Sequence, residues 1–304
     1  MKKILVTGLT GSVAFPVAKR LAEEGNDVSG LARYTAKGSR QRVEAAGIHP
    51  VQADLIDADF SQVPDDFDYV LNFAVLHAPD FESALAANAE GAGLLMAHCR
   101  KASAFLHCSS TAVYQPDGHR AYKETDPLGD NHRSAGMTTY SISKIAAEAV
   151  VRTTSRLLNV PTTIARLNVP YGDTWGWPRM HLDWMAAGSD IYVHSDAPSV
   201  YNPIHEDDIV ASIPKLLEIA SVPPTVVNWG GSEAVSIEEW CTYMAEMTGL
   251  EPNFVPTEMT VPSVSVDLTL MRSLVGEPKV GWRDGLRRLA GASYPDRVKS
   301  AGGA

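Results

Sequence analysis

Apolar positions follow two alternating rhythms along the first 170 residues. Short β-branched or apolar runs alternate with longer stretches whose apolar residues fall at helical spacing, the pattern of βαβ units around a parallel sheet. Residues 3–7, 27–32, 49–53, 69–74, 104–109 and 162–167 predict strands, and 13–24, 84–101 and 138–158 predict the helices between them. Beyond Gly172 the rhythm breaks into aromatic and Pro-rich segments, with Trp175, Trp177, Pro178 and Trp184 close together. That change predicts a smaller lobe over the carboxyl ends of the strands. Residues 225–229 predict a strand returning to the main sheet, and 209–219 an apolar helix whose N-terminus Asp207 and Asp208 would serve. The expected architecture is an α/β Rossmann fold: a doubly wound parallel sheet with a smaller C-terminal substrate-binding lobe. Residues 1–170 would form the dinucleotide-binding domain and 171–304 mainly the lobe. The tail from Tyr294, ending Ser-Ala-Gly-Gly-Ala, is expected to fray.

A chain of 304 residues, 45% hydrophobic and 20% charged, can bury a large core. Its formal charge of -10, from 36 acidic and 26 basic residues, gives no broad cationic field for nucleic acid or anionic lipid. Met-Lys-Lys followed by Ile4-Leu5-Val6 is too short an apolar run for a signal peptide or a membrane span, so a cytoplasmic protein is expected. The scattered Cys99, Cys108 and Cys241 fit a reducing compartment and read as core residues.

Thr7-Gly8-Leu9-Thr10-Gly11-Ser12-Val13-Ala14 lies between the first strand and the first helix. One glycine permits a tight turn, the next lets backbone approach a pyrophosphate, and the helix N-terminus offers free N–H groups. Gly8, Thr10, Gly11, Ser12 and Val13 are therefore expected to hold a dinucleotide, with Ala14 at the third glycine position. The second strand ends at Arg33, with Lys37 and Arg40 close behind, where a carboxylate for the ribose 2′-hydroxyl is usual. An arginine suits a 2′-phosphate, so NADP(H) is favoured and NAD(H) possible; a solvated basic loop is the alternative.

Tyr140-Ser141-Ile142-Ser143-Lys144 opens a long helical segment and sets the tyrosine and lysine one turn apart on one face. A phenol with a pKa of ~10 transfers protons poorly at neutral pH, and a nearby ammonium stabilises its phenolate. Between these motifs, Ser110 on a strand end offers a hydroxyl to orient a substrate oxygen.

With these motifs the chain resembles the extended short-chain dehydrogenase/reductase family, which includes nucleotide-sugar epimerases and dehydratases. The resemblance rests on TGLTGSVA, Asn72-Phe73-Ala74, Asn88, SSTAVY, YSISK, Arg166 to Gly172, Ile204-His205-Glu206-Asp207-Asp208 and the segment from Asp267 to Leu289. It implies catalytic roles for Ser110, Tyr140 and Lys144 and a cofactor site that includes Gly8, Gly11, Arg33, Asp54, Leu55 and Ala74. It also places Asn88 in a supporting polar network and implies a homodimer through 84–101 and 138–158. Asp54 resembles the family's adenine-contacting acid, though a capping role is equally open.

Departures narrow the function. Thr111 and Ala112 stand where dehydratases of the family carry Asp-Glu, so that chemistry lacks its proton donors. Tyr201 replaces an arginine usual in nucleotide-diphosphate binders, and the segment after the sixth strand reads Asn168-Val169-Pro170-Tyr171-Gly172. Candidate substrate contacts are His77, Thr111, Val169, Trp175 and Tyr201, while Trp177, Met180, His181, Trp184 and Met185 would wall an apolar pocket or pack the lobe. His107 and His205 read as structural, and no Cys, His or Asp cluster has metal-ligand spacing. The leading expectation is an NADP(H)-dependent dehydrogenase or carbonyl reductase acting on a small alcohol, ketone or aldehyde. Alternatives are a sugar or nucleotide-sugar epimerase with retained cofactor and a non-catalytic cofactor-binding regulator.

Overall fold

A computed structural model describes residues 1–298. Seven parallel strands form the central sheet: β1 (Lys3–Thr7), β2 (Asp27–Ala32), β3 (His49–Gln52), β4 (Tyr69–Asn72), β5 (Ala104–Ser110), β6 (Thr162–Leu167) and β7 (Thr225–Trp229). Their order is β7-β6-β5-β4-β1-β2-β3, so the chain winds outward in both directions from β1 and β4. The strand expected from its return position pairs in register with β6, Thr225 opposite Thr163 and Trp229 opposite Leu167.

Both faces of the sheet are covered, which is why its central strands read as short β-branched or apolar runs. Leu5, Leu31, Val70, Phe105 and Ile164 pack on one face with Leu95, Met96 and Val151 from helices Gly91–His98 and Tyr140–Leu158. Ile4, Val6, Leu71 and Leu106 face the other way, into a core that holds Val17 and Ile213 of the N-terminal and Glu206–Glu218 helices. Leu182, Trp240 and Leu286 of helices Trp177–Ala187, Ile237–Thr248 and Trp282–Ser293 join the same core.

Several expected boundaries shift. The helix expected at 84–101 starts earlier, at Phe81, where the Asp80 side chain accepts the Ser83 N–H, and it is interrupted by a π-turn at Ala86–Glu90. The turn lies just before Gly91, where a Cβ would meet the Leu55 carbonyl at 2.5 Å. The basic stretch after Arg33 contains a short helix, Ser39–Ala45. There Arg40 pairs with Glu44 and the Arg42 guanidinium lies 3.8 Å from the centre of the Phe15 ring. The Glu206–Glu218 helix is capped by His205, whose Nδ1 accepts the Asp207 N–H, while Asp208 accepts the N–H groups of Lys279 and Val280. Tyr294 is not frayed: its hydroxyl donates to Asp183 at 2.8 Å. The final Ser-Ala-Gly-Gly-Ala lies outside the described residues. Among those residues no helix is long and apolar enough to cross a membrane.

Candidate active site

Gly8 ends β1 at φ +70°, and a Cβ there would stand 2.9 Å from the backbone of Ala74. Its N–H donates to Leu31 O at 3.1 Å and its own carbonyl accepts the Gly11 N–H at 2.9 Å, which draws the turn tight against the ends of β2 and β4. No side chain caps the following helix, Ala14–Glu23. Its electropositive end therefore opens on a cleft of about 740 Å³ whose walls include Gly8, Thr10, Gly11, Arg33, Asp54, Leu55, Ala74 and Asn88. A close glycine turn, an uncapped helix N-terminus and apolar walls at Leu31, Ala32 and Leu55 fit the pyrophosphate and adenosine of a dinucleotide.

Most expected cofactor residues meet here. Ser12 is exposed and lines neither this cleft nor its neighbour, and Val13 faces the neighbour. Asp54 lines the cleft while its Oδ1 accepts the Ile56 N–H at 3.0 Å, so the capping alternative takes the form of a local turn and not a helix cap. Arg33 is exposed and forms no side-chain hydrogen bond or ion pair among the described residues, unlike Arg40. Asn88 supports the wall from behind, accepting the Leu76 N–H and donating to Leu76 O and Ser143 Oγ.

Phe73 and Val75 separate this cleft from a second one of about 1110 Å³. Ser110, Tyr140 and Lys144 all line the second cleft, as do His77, Thr111, Val169 and Tyr201. Lys144 is 3% exposed, and its Nζ donates to the Cys108 carbonyl at 2.7 Å. Ser110 Oγ accepts the Ala112 N–H at 3.1 Å, which commits a lone pair and leaves the hydroxyl proton for a partner in the cleft.

Burial pushes the Tyr140 phenol above its ordinary value, and a hydrogen bond from Ser110 opposes that rise without cancelling it. The expected depression by Lys144 is therefore not the state of the free site. Burial also lowers the Lys144 ammonium, whose proton is held on a backbone carbonyl. Cys108 packs against the core and also lines the cleft, with burial pushing its thiol up to about 11 against the opposing charge of Lys144.

Two imidazoles flank the Tyr140 ring. His77 stacks on it at 5.1 Å and 22°, and His132 packs at 5.0 Å on a tilt of 53°. His132 carries no motif in the sequence; it belongs to a loop that the fold folds back over the catalytic helix, where it bonds Asn131 and Ser141. Burial lowers both rings, His132 to about 4, so both are neutral at neutral pH.

These depressed histidines have a measurable consequence. Burial also takes His181 to about 4 and His107 well below its ordinary range. A histidine with folded pKa below its unfolded 6.5 keeps its full contribution above that value. For the buried His107, His132 and His181 the contribution is lost as pH falls, at about 1.4 kcal/mol per pH unit per histidine. Thermal unfolding followed from pH 7.5 to 4.5 should therefore show a melting temperature that drops steadily below about pH 6.5. A flat profile there would show that these rings protonate without cost.

Trp175 is corrected. It sits in the short strand Trp175–Gly176, lines neither cleft, and donates its indole N–H to Glu206 at 2.7 Å. Trp177 reaches the cleft in its place. Tyr201 is 2% exposed, with its hydroxyl directed at the carbonyls of Val261 and Pro262. Asp173, His205 and Glu206 bring ligand atoms within 4.8 Å of one another, a grouping that sequence spacing does not reveal. Protein groups already engage them: His205 Nε2 and Arg288 contact Asp173, and Trp175 donates to Glu206.

A family model described as "NAD dependent epimerase/dehydratase family" matches residues 4–230, which contain both clefts' glycine turn and Ser-Tyr-Lys set. The chain belongs to this family. Among its relatives is a probable UDP-glucuronate 4-epimerase of Rhizobium meliloti, 25% identical over 94% of this chain and 95% of that one. An uncharacterised 37.6 kDa protein of Escherichia coli is 27% identical over 94% of this chain and 97% of its own. The fold is shared with the Bacillus cereus UDP-glucuronic acid 4-epimerase bound to UDP-glucuronic acid and NAD (TM-score 0.83, 20% identity, 96% and 99% covered). It is shared equally with the Thermotoga maritima UDP-glucose 4-epimerase bound to UDP-glucose (TM-score 0.81, 20% identity, 97% and 99% covered).

Proposed function

We propose that this family member uses a nicotinamide dinucleotide to take hydride from a secondary alcohol and to return it to the opposite face of the resulting carbonyl, with epimerisation as the net reaction. The observation that carries the reading is the convergence of Ser110, Tyr140 and Lys144 on one cleft wall, one pair of side chains away from the dinucleotide cleft. The dinucleotide supplies the hydride acceptor and donor. Tyr140 takes the alcohol proton as the carbon loses hydride and gives it back on reduction. Ser110, its lone pair held by Ala112, directs its proton toward the substrate oxygen. Lys144 places a positive charge beneath the phenolate as it forms, a stabilisation realised when the proton leaves.

The names of the relatives favour retention of the cofactor. Net reduction of a ketone by NADP(H) is the second reading, favoured by Arg33 and by the apolar walls of the Tyr140 cleft. Cofactor handling separates the two: an epimerase purifies with its dinucleotide and shows no net turnover of it, whereas a reductase consumes it. A homodimer through the helices 81–98 and Tyr140–Leu158 belongs to the same proposal, and the exposed Leu94 and Leu157 on those helices support it.

Arg33 bears on the choice of dinucleotide, although the Bacillus cereus neighbour holds NAD. Titration by nicotinamide fluorescence should show NADPH binding tighter than NADH. Arg33→Ala should weaken NADPH by about tenfold or more, the worth of a charged hydrogen bond, and leave NADH unchanged. Equal binding of the two dinucleotides in the unmutated chain would remove the 2′-phosphate argument.

A further inference from the structure

The cleft beside Tyr140 does not end at Trp177. A further groove of about 920 Å³ adjoins it across the shared wall residues Trp177, Tyr201 and Val261, and reaches Met180, Trp184 and Met259. Among the described residues no Lys, Arg, Asp or Glu lines this groove, and Lys144 is the only such residue lining the Tyr140 cleft. Lys144 is committed to the Cys108 carbonyl. The His181 ring accepts the Trp240 indole N–H at 3.0 Å and is held neutral by burial. The Tyr201 hydroxyl is turned to backbone carbonyls. A multiply charged group in this tract would leave water without meeting a free cation, a loss that nothing in the walls offsets.

The walls suit something else. Trp177 meets Tyr201 edge-to-face at 5.3 Å, and His181 stacks on Trp240 at 5.6 Å, so the aromatic side is braced by its neighbours. At its outer end Met180, Tyr192 and Met259 remain 38%, 52% and 70% exposed. Large apolar side chains clustered beside a cleft mark a binding surface, and methionine adapts its shape to irregular ligands. Because the groove adjoins the Tyr140 cleft along Trp177, Tyr201 and Val261, the molecule that reacts there is the one placed to cover it.

We propose that the substrate carries an uncharged apolar or aromatic arm that runs from the reacting carbon at Tyr140, past Trp177 and Tyr201, into the groove walled by Trp184, Met180 and Met259. This rests on the reading of the Tyr140 cleft as the reacting site and adds what lies beyond the reacting carbon. A nucleoside diphosphate is the competing occupant.

The test is calorimetric titration of the full chain with a series of methyl ketones, from 2-butanone to 2-undecanone, and with UDP-glucose, without turnover. Affinity should rise by about fourfold per added methylene until the groove is filled. Met180→Ser and Met259→Ser, both at exposed positions, should weaken 2-undecanone several-fold and leave 2-butanone within about twofold, since each methionine meets only the arm. A flat series, longer ketones indifferent to both substitutions, or UDP-glucose binding tighter than every ketone would overturn the proposal. If a separate turnover assay then showed neither epimer exchange nor net dinucleotide oxidation or reduction, groove-dependent binding would count against the hydride-transfer reading alone and leave the arm in place.

Discussion

Tyr140→Phe should lower turnover by about 10²–10⁴-fold, the usual worth of a positioned general acid or base, while dinucleotide affinity stays within about twofold. The substitution removes one hydroxyl and little else. The ring remains packed between His77 and His132, and Lys144 keeps its bond to the Cys108 carbonyl, so the cleft retains its shape. Initial rates of dinucleotide turnover, or of epimer exchange at saturating substrate, would be compared with fluorescence titration of the cofactor in both proteins. Unchanged rates would remove Tyr140 from the chemistry and leave a protein that binds its cofactor without using the Ser-Tyr-Lys set. The raised phenol of the free site sharpens the expectation. Burial makes the phenolate costly until further positive charge reaches the cleft, so the rate should climb with pH through the range where Tyr140 titrates in the complex.

Glu148→Ala should destabilise the fold by about 3–5 kcal/mol, the cost of stripping one partner from a buried ion pair. Glu148 is fully buried on the helix that carries Tyr140 and Lys144. Arg166 on β6 grips it with two bonds of 2.9 and 2.8 Å, Ser109 on β5 donates at 2.6 Å, and Arg152 adds a second cation. Arg166 also donates to Tyr114, which bonds Asn228 on β7. The catalytic helix is thus pinned to three strands at one point. Removing the carboxylate leaves Arg166, 2% exposed, without its counter-charge. Burial alone would raise the Glu148 carboxyl, but Arg166, Ser109 and Arg152 hold it below the usual range. Its contribution is therefore full above that range and lost as pH falls through it. Urea midpoints would check this, and a cost under about 1 kcal/mol, the level of a surface pair, would show that the network is ornamental. Glu148→Leu combined with Arg166→Met should recover part of the loss, because neither charge is then stranded.

Much of this architecture was legible because the central strands are buried on both faces and so appear as short runs rich in β-branched and apolar residues. All six residues of β6 are buried, and its boundaries and those of β7 match the expectation residue for residue. The glycine turn was equally plain, since only a residue without Cβ tolerates the approach of Ala74 at that φ. The helix Ser39–Ala45 was not legible, for it buries only Val43 and so has no apolar stripe. Trp175 and Trp177 could not be told apart by spacing. The hairpin Pro170–Gly172 with Trp175–Gly176, and Gly176 at φ +102°, turn one indole to Glu206 and the other to the cleft. His132 was missed because its place against Tyr140 is purely tertiary. The reductase expectation leaned on local departures at Thr111, Ala112 and Tyr201, whereas the relatives whose names state an activity are epimerases.

The late position of β7 has a consequence for how the chain can be made and cut. β6 pairs on one side with β5 and on the other with Thr225–Trp229, more than fifty residues further along. A ribosome therefore releases the glycine turn, Ser110, Tyr140 and Lys144 well before the sheet that carries them can close. Until residue 229 emerges, the nascent chain presents a bare hydrogen-bonding edge flanked by apolar side chains, the sort of surface that recruits other strands. A fragment ending near residue 170 would contain every group of the Ser-Tyr-Lys set and both glycines of the turn, yet it should be recovered as an aggregate.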